Sequence, residues 1–258
     1  MDVGFSGRSV LRLIAFSCVA LAILLPVSGP TVAYIPEDRS VVKKGYDIDR
    51  SGLVPVYPAG RVCSPLTSLY ASWVDVDGGD RDSAHSGVDG GRLGETILAP
   101  GPGRVHAVWE TDWRWGMEGA LLIAHTSAEL NMPGNPPVFF TAYDHLNYSD
   151  IKHLKVDDRI SRGQPLARVH RPGGHKKYLP EVHWEVWEAQ NDKLTWINNR
   201  YGGLEWRNPT ARLIDPLFML GIHSPPQDGR SVEIVPFDAD ADYSKFRGFT
   251  YIFDCKRP

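Results

Sequence analysis

The stretch "LPEVHWEVWEA" (residues 179–189) decides how this chain folds. Its residues alternate in character, and in an extended strand residues i and i+2 point to one face, roughly 6.5–7 Å apart. Val182, Trp184 and Val186 therefore make a core face, and Glu181, His183 and Glu185 share the other. Ordinary packing would place Val or Thr on that second face. An imidazole between two carboxylates is unusual there, and a lone histidine in such a position reads as structural unless other chemistry-bearing residues join it.

Outward from this strand, short apolar runs recur between Gly, Pro and Asp: "ETILAP" (95–100), "GRVHAVWE" (103–110), "GALLIAHT" (119–126), "VFFTAYDHL" (138–146) and "QPLARVH" (164–170). Short strands separated by turn chemistry predict a mostly β fold, a compact antiparallel sandwich or barrel. Helical signal is thin: "NYSDIKHL" (147–154) supports a single turn capped by Ser149. Residues 34–62 contain three prolines and no periodicity, and read as an extended N-terminal arm. The main domain spans 63–220, and 221–258, with "SPPQDG" and "GFTYIFDC", reads as an extension that packs back on it.

The 258 residues are 42% apolar and 23% charged with a net charge of −3. That is ordinary for a globular domain and argues against disorder and coiled coil. Lys and Arg are scattered, without the basic stripe of a nucleic-acid binder. At the start, Arg8 and Arg12 precede the apolar run "LIAFSCVALAILL" (13–25), then come Pro26, Gly29 and "TVA", ending at Ala33. This layout predicts a cleavable secretory signal peptide over 1–33. Its apolar run is well short of the ~20 residues a membrane-spanning helix needs. The expected destination is outside the cell or the periplasm, with no stable membrane span after cleavage. Cys18 would leave with the signal. Cys63 and Cys255 then remain in an oxidising compartment, either as one disulfide tying the start of the domain to its tail or as two separate thiols.

Two further motifs keep His183 company. "HSGVDGG" (85–91) puts three residues between His85 and Asp89, among glycines that let the backbone fold tightly, so both side chains can reach one cation. "YDHL" (143–146) ends the 138–146 strand, where alternation places Phe139, Thr141, Tyr143 and His145 on one side. Each motif alone is weak.

Their order is not. "SPLTS", "HSGVD", "ILAPGPGRVHAVW", "ALLIAHT", "YDHL", "DDRISRGQPLARV", "VHWEV" and "DPLFML" together resemble the lysostaphin/LytM-type zinc endopeptidases, which cut the cross-link peptides of peptidoglycan, over roughly residues 63–220. The resemblance implies a compact, mostly antiparallel β domain with long loops around a groove that runs over one Zn2+. It implies His85, Asp89 and His183 as the zinc ligands and His145 as the catalytic histidine. Two His and one Asp leave a fourth tetrahedral position for water, as a hydrolytic site requires. The substrate it implies is a stem or cross-link peptide of the bacterial wall.

One departure from the family pattern matters. Where the family has His-x-His, this chain has Glu181-Val182-His183. Three readings follow. Glu181 can act as general base, since glutamate does this work in other zinc peptidases. It can occupy the fourth zinc position and close the site. Or the change marks an impaired protein that binds wall peptides or regulates a wall enzyme such as an amidase. Glu185 either orients a zinc-bound histidine or faces water. "DVDGGDRD" (75–82) lacks the spacing of a calcium loop and reads as a loop beside the groove. "WRW" (113–115) either lines the groove or covers the core, and "HRPGGHKKY" (170–178) either walls the groove or is simply solvated. His106, His125, His153, His170, His175 and His223 take no role in these motifs.

Overall fold

Strands form where the apolar runs predict them. The computed structural model describes residues 42, 43, 46–48 and 51–257, other than 82, 133, 135 and 223–227. The proposed signal peptide and His223 lie outside the described residues. In chain order the first strands are β1 (Val42–Lys43), β2 (Tyr46–Asp47), β3 (Val54–Val56), β4 (Val62–Cys63), β5 (Leu66–Ser68), β6 (Val88–Gly90) and β7 (Thr96–Leu98). Three long strands follow: β8 (Gly103–Asp112), β9 (Met117–Thr126) and β10 (Val138–Leu146). Then come α1 (Tyr148–Ile151), β11 (Arg159–Ile160), β12 (Pro165–Arg168), β13 (Val182–Ala189), β14 (Thr195–Asn198), β15 (Leu204–Arg207) and β16 (Arg212–Ile214). The chain closes with α2 (Pro216–Gly221), β17 (Ser231–Glu233) and β18 (Cys255–Lys256).

One antiparallel sheet dominates, in the order β11-β8-β9-β10-β13-β6-β5, with β16 also paired to β13. Strand β8 alternates buried and partly exposed residues, the pattern of a sheet covered on one face, whereas β9 and β10 are buried almost throughout. Trp184, Trp187, Tyr143, Phe140 and Leu121 are buried to within 2% around the sheet's centre. Large apolar side chains of this kind contribute about 1.5–3 kcal/mol each on burial. Among the described residues, no helix is long and apolar enough to cross a membrane.

The ends of the domain are stitched together. Cys63 and Cys255 are disulfide-bonded, and β18 pairs antiparallel with β4 around them. Strand β17 pairs with β3 in parallel, an exception to the antiparallel rule of the main sheet. Phe249, Tyr251 and Phe253 from the tail are fully buried in the core. The single turn α1 forms as read from the sequence, but its cap is Asn147: the Asn147 side-chain oxygen accepts from the Ser149 backbone N–H at 3.1 Å. Ser149 sits two residues too late to cap, and its hydroxyl donates to the same Asn147 oxygen. Helix α2 starts at Asp215, whose carboxylate accepts from Leu217 N–H at 2.9 Å, with Pro216 in the first turn.

Candidate active site

Strand register assembles the first half of the site. In β13, His183 lies directly across from Asp89 of β6 on one side and from Asp144 of β10 on the other. Paired residues have Cβ atoms about 4.5–5.5 Å apart, so two side chains from distant parts of the sequence meet without any help from loops. His85 arrives from the turn before β6. That turn presses close to β13, because a Cβ on Gly87 would fall 2.3 Å from the Trp184 carbonyl oxygen. Only glycine fits there.

The result is a triangle of donor atoms. His85 Nε2 lies 3.0 Å from Asp89 Oδ1 and 3.0 Å from His183 Nδ1, and His183 Nδ1 lies 2.8 Å from Asp89 Oδ1. Ligands about 2.0–2.2 Å from a tetrahedral zinc would sit roughly 3.3–3.5 Å from one another, so the triangle is a slightly tight tetrahedral face. Hydrogen bonds behind the rings aim the donor atoms. His85 Nδ1 is 2.9 Å from the Leu69 carbonyl, which only accepts, so that nitrogen carries the proton and Nε2 presents a lone pair. His183 Nε2 is 3.1 Å from Glu185 Oε1, which leaves Nδ1 facing the triangle. Glu185 is fully buried and its other oxygen accepts from Trp187 Nε1 at 3.0 Å, so it backs the histidine instead of facing water.

All three side chains are buried. Burial opposes a charged His183, but hydrogen bonds to Asp89 and Glu185 outweigh it and raise its pKa. Burial also opposes the Asp89 carboxylate, yet His85 and His183 hold it well below the usual range. Burial pushes His85 down to about 4, so it enters the cluster as a neutral ring able to ligate. Arg81 Nη2 donates to the remaining Asp89 oxygen at 2.7 Å and also reaches Asp75 at 3.0 Å. Among the described residues, His85, Asp89 and His183 are the one group of this kind close enough to hold a metal ion, and two imidazole nitrogens with one carboxylate oxygen form a donor set that suits zinc.

The second half of the site is built by leaving register. Tyr143 pairs with Trp184 and is buried in the core, so strict alternation would send His145 to the core as well. A bulge between Tyr143 and Leu146 intervenes, and His145 takes φ +64°, left-handed backbone that is rare for a residue with a side chain. His145 therefore does not share the face of Tyr143, as alternation suggested. It lines the cleft together with Asp144. Its Nδ1 lies 2.6 Å from Glu118 Oε2, and the Trp115 ring stands edge-on to it with centroids 5.0 Å apart. Burial alone would lower the His145 pKa, but the charge and hydrogen bond of Glu118 raise it to about 9.

Glu181 completes the constellation. It is 8% exposed, and its Oε2 has no hydrogen-bond partner among the described residues. Burial, and then the negative charge of Asp89, push its pKa up to about 7. A cation beside it would pull that value back down. Glu181, His145, His183 and Asp89 all line one cleft of about 590 Å³, whose walls include Trp113, Trp115 and Ile197 of β14. The 113–115 tryptophans thus line the cleft, as do Asp75 and Asp80 of the acidic loop. A larger hollow of about 810 Å³, bordered by Arg92, Glu95, Arg168 and Lys256, contains none of these residues. The chemistry converges on the smaller one.

Sequence reading missed Glu118 and Arg81. Glu118 is the second residue of β9, one residue before the apolar run that marks the strand, and an acid at the head of such a run is its only signal. Arg81 lies inside a segment dominated by aspartates, where its role as their counter-charge is not marked by any spacing.

No protein-family model matches the chain, and no curated protein matches it. Several solved structures do. A zinc-containing peptidase from Vibrio cholerae is 22% identical with a TM-score of 0.36, over 62% of this chain and 37% of that one. The chain thus spans little more than a third of that protein. The catalytic domain of the prophage-encoded protein EnpA from Enterococcus faecalis is 23% identical with a TM-score of 0.33, over 53% and 87% of the two chains. The catalytic domain of the antimicrobial peptidase lysostaphin from Staphylococcus simulans is 19% identical with a TM-score of 0.30, over 48% and 77%.

Proposed function

We propose that this protein is an exported zinc metalloendopeptidase of the lysostaphin/LytM type that hydrolyses peptide cross-links of bacterial peptidoglycan. One observation carries the reading: His85, Asp89 and His183 converge on one point while a buried carboxylate, Glu181, and an imidazole, His145, line the same cleft. The motifs that supply these five residues occur in the order the family resemblance implies.

In this reading His85 Nε2, Asp89 Oδ1 and His183 Nδ1 hold zinc, with Glu185 and Arg81 fixing two of the three ligands from behind. Zinc, when bound, supplies Lewis acidity that lowers the pKa of water and polarises a carbonyl oxygen. Glu181 takes the proton from the attacking water. Its unpartnered oxygen and its burial in the cleft suit a base that takes the proton and then returns it to the leaving amine. His145, held charged by Glu118, donates from the ring nitrogen opposite Nδ1 to the oxygen on which negative charge develops. The Glu181 replacement thus pairs a carboxylate base with an imidazolium donor.

Incubation of the purified protein with cell-wall sacculi tests this. Release of cross-link peptides that stops on chelation and returns with zinc supports the enzyme. Stoichiometric zinc without any release supports instead a protein that binds wall peptides or regulates another wall enzyme.

A further inference from the structure

Resting on the reading above, we propose that Glu118 is a positioning residue: one carboxylate sets the orientation of His145 and anchors the turn that backs the cleft wall. Its two oxygens have separate tasks. Oε2 accepts from His145 Nδ1 at 2.6 Å, which holds that proton away from the cleft and turns the opposite edge of the ring toward it. Oε1 accepts from the backbone N–H of Gly173, in the 3-10 turn Pro172–Gly174. That turn packs directly behind Trp115: Gly173 has φ +57°, and a Cβ there would fall 1.9 Å from the Trp115 carbonyl oxygen. Trp115 in turn presents its ring to His145, with centroids 5.0 Å apart, and lines the cleft.

The need for such a residue follows from the backbone. His145 sits in left-handed conformation on a bulge, where no neighbouring ladder bond dictates its side-chain direction. A ligand histidine is aimed by its ion as well as by its backing carboxylate. For His145, among the described residues, the hydrogen bond to the Glu118 carboxylate takes that part. Glu118 is 4% exposed and lies in β9, the strand paired to β10, where it pairs with Thr111 of β8, so it is itself held by the sheet.

Glu118→Gln separates positioning from mere packing. The amide has the same shape, and its oxygen can still accept from Gly173, but its NH2 donates toward His145 Nδ1 and forces that nitrogen to give up its proton. The expected result in the zinc-loaded protein is a ¹⁵N signal of His145 Nδ1 that moves from the protonated to the unprotonated range, with zinc stoichiometry kept. On sacculi, kcat should fall about 10-fold or more while KM holds, a loss typical of an acid–base partner. The double variant Glu118→Gln/His145→Ala should be no slower than His145→Ala alone. An unmoved ¹⁵N signal, or losses that multiply in the double variant, would overturn the proposal. The nitrogen signal reads the pairing even where sacculi are not cut, so failure of the peptidase reading and failure of this one give different results.

Discussion

His183 and Asp89 face each other because their strands are in register, whereas His145 reaches the same cleft because its strand leaves register. The ligand half of the site needs nothing beyond sheet geometry, one close glycine at 87 and backing hydrogen bonds. The other half depends on a bulge, a left-handed histidine and a carboxylate contributed by the adjacent strand β9. Ordinary ladder pairing therefore places the donors that must share one point. Irregular backbone places the side chain that must face a substrate. The two halves should fail differently when disturbed.

The largest effect belongs to the ligand half. His183→Ala should abolish stoichiometric zinc, measured by atomic emission on dialysed protein, and hydrolysis should drop below detection, since two ligands do not hold the ion of a three-ligand site. Metal binding that survives this change would break the account of that half. Glu181→Gln should do the opposite: zinc content is unchanged and turnover falls by about 10²–10⁴-fold, the usual contribution of a general base. An unchanged rate removes Glu181 from the chemistry.

Much of the first half was legible in the sequence. Period-two alternation put Glu181, just before β13, on one face with His183 and Glu185 of β13, and the site uses that face: Glu181 and His183 line the cleft and Glu185 backs His183. The tight glycines around Asp89 and the strands from 95 to 189 could be read for the same reason, that pattern and turn chemistry act locally. His145 was legible as a residue but not as a direction, because a bulge shifts alternation without leaving a marker in "YDHL". Glu118 and Arg81 left almost no mark, since their partners lie 27 and 8 residues away and a hydrogen bond between distant side chains imposes no spacing. The disulfide between Cys63 and Cys255 resolves an ambiguity that counting cysteines could not.

Smaller effects sharpen the contrast. Arg81→Met removes the donor behind Asp89 and should weaken zinc binding by about 10–100-fold without changing which residues ligate, as measured by competition with a chelator. Zinc affinity equal to wild type would show that Arg81 serves only the acidic loop. The smallest effect concerns the His145–Glu118 pair and pH. The folded-state pKa of His145, about 9, lies above its ordinary 6.5. The pair therefore contributes its full stabilisation below pH 6.5 and loses it as pH rises through 9. The gap in denaturant midpoint between wild type and Glu118→Gln should narrow from pH 7 to pH 10, and a constant gap would mean that the pair is not an ion pair.

Diffraction at the zinc absorption edge, on crystals of the zinc-loaded protein, tests the central claim most directly. The account predicts one anomalous peak about 2.0–2.2 Å from His85 Nε2, Asp89 Oδ1 and His183 Nδ1, with solvent in the fourth position. A peak that also sits within that distance of a Glu181 oxygen, or no peak among these three side chains at saturating zinc, would contradict it.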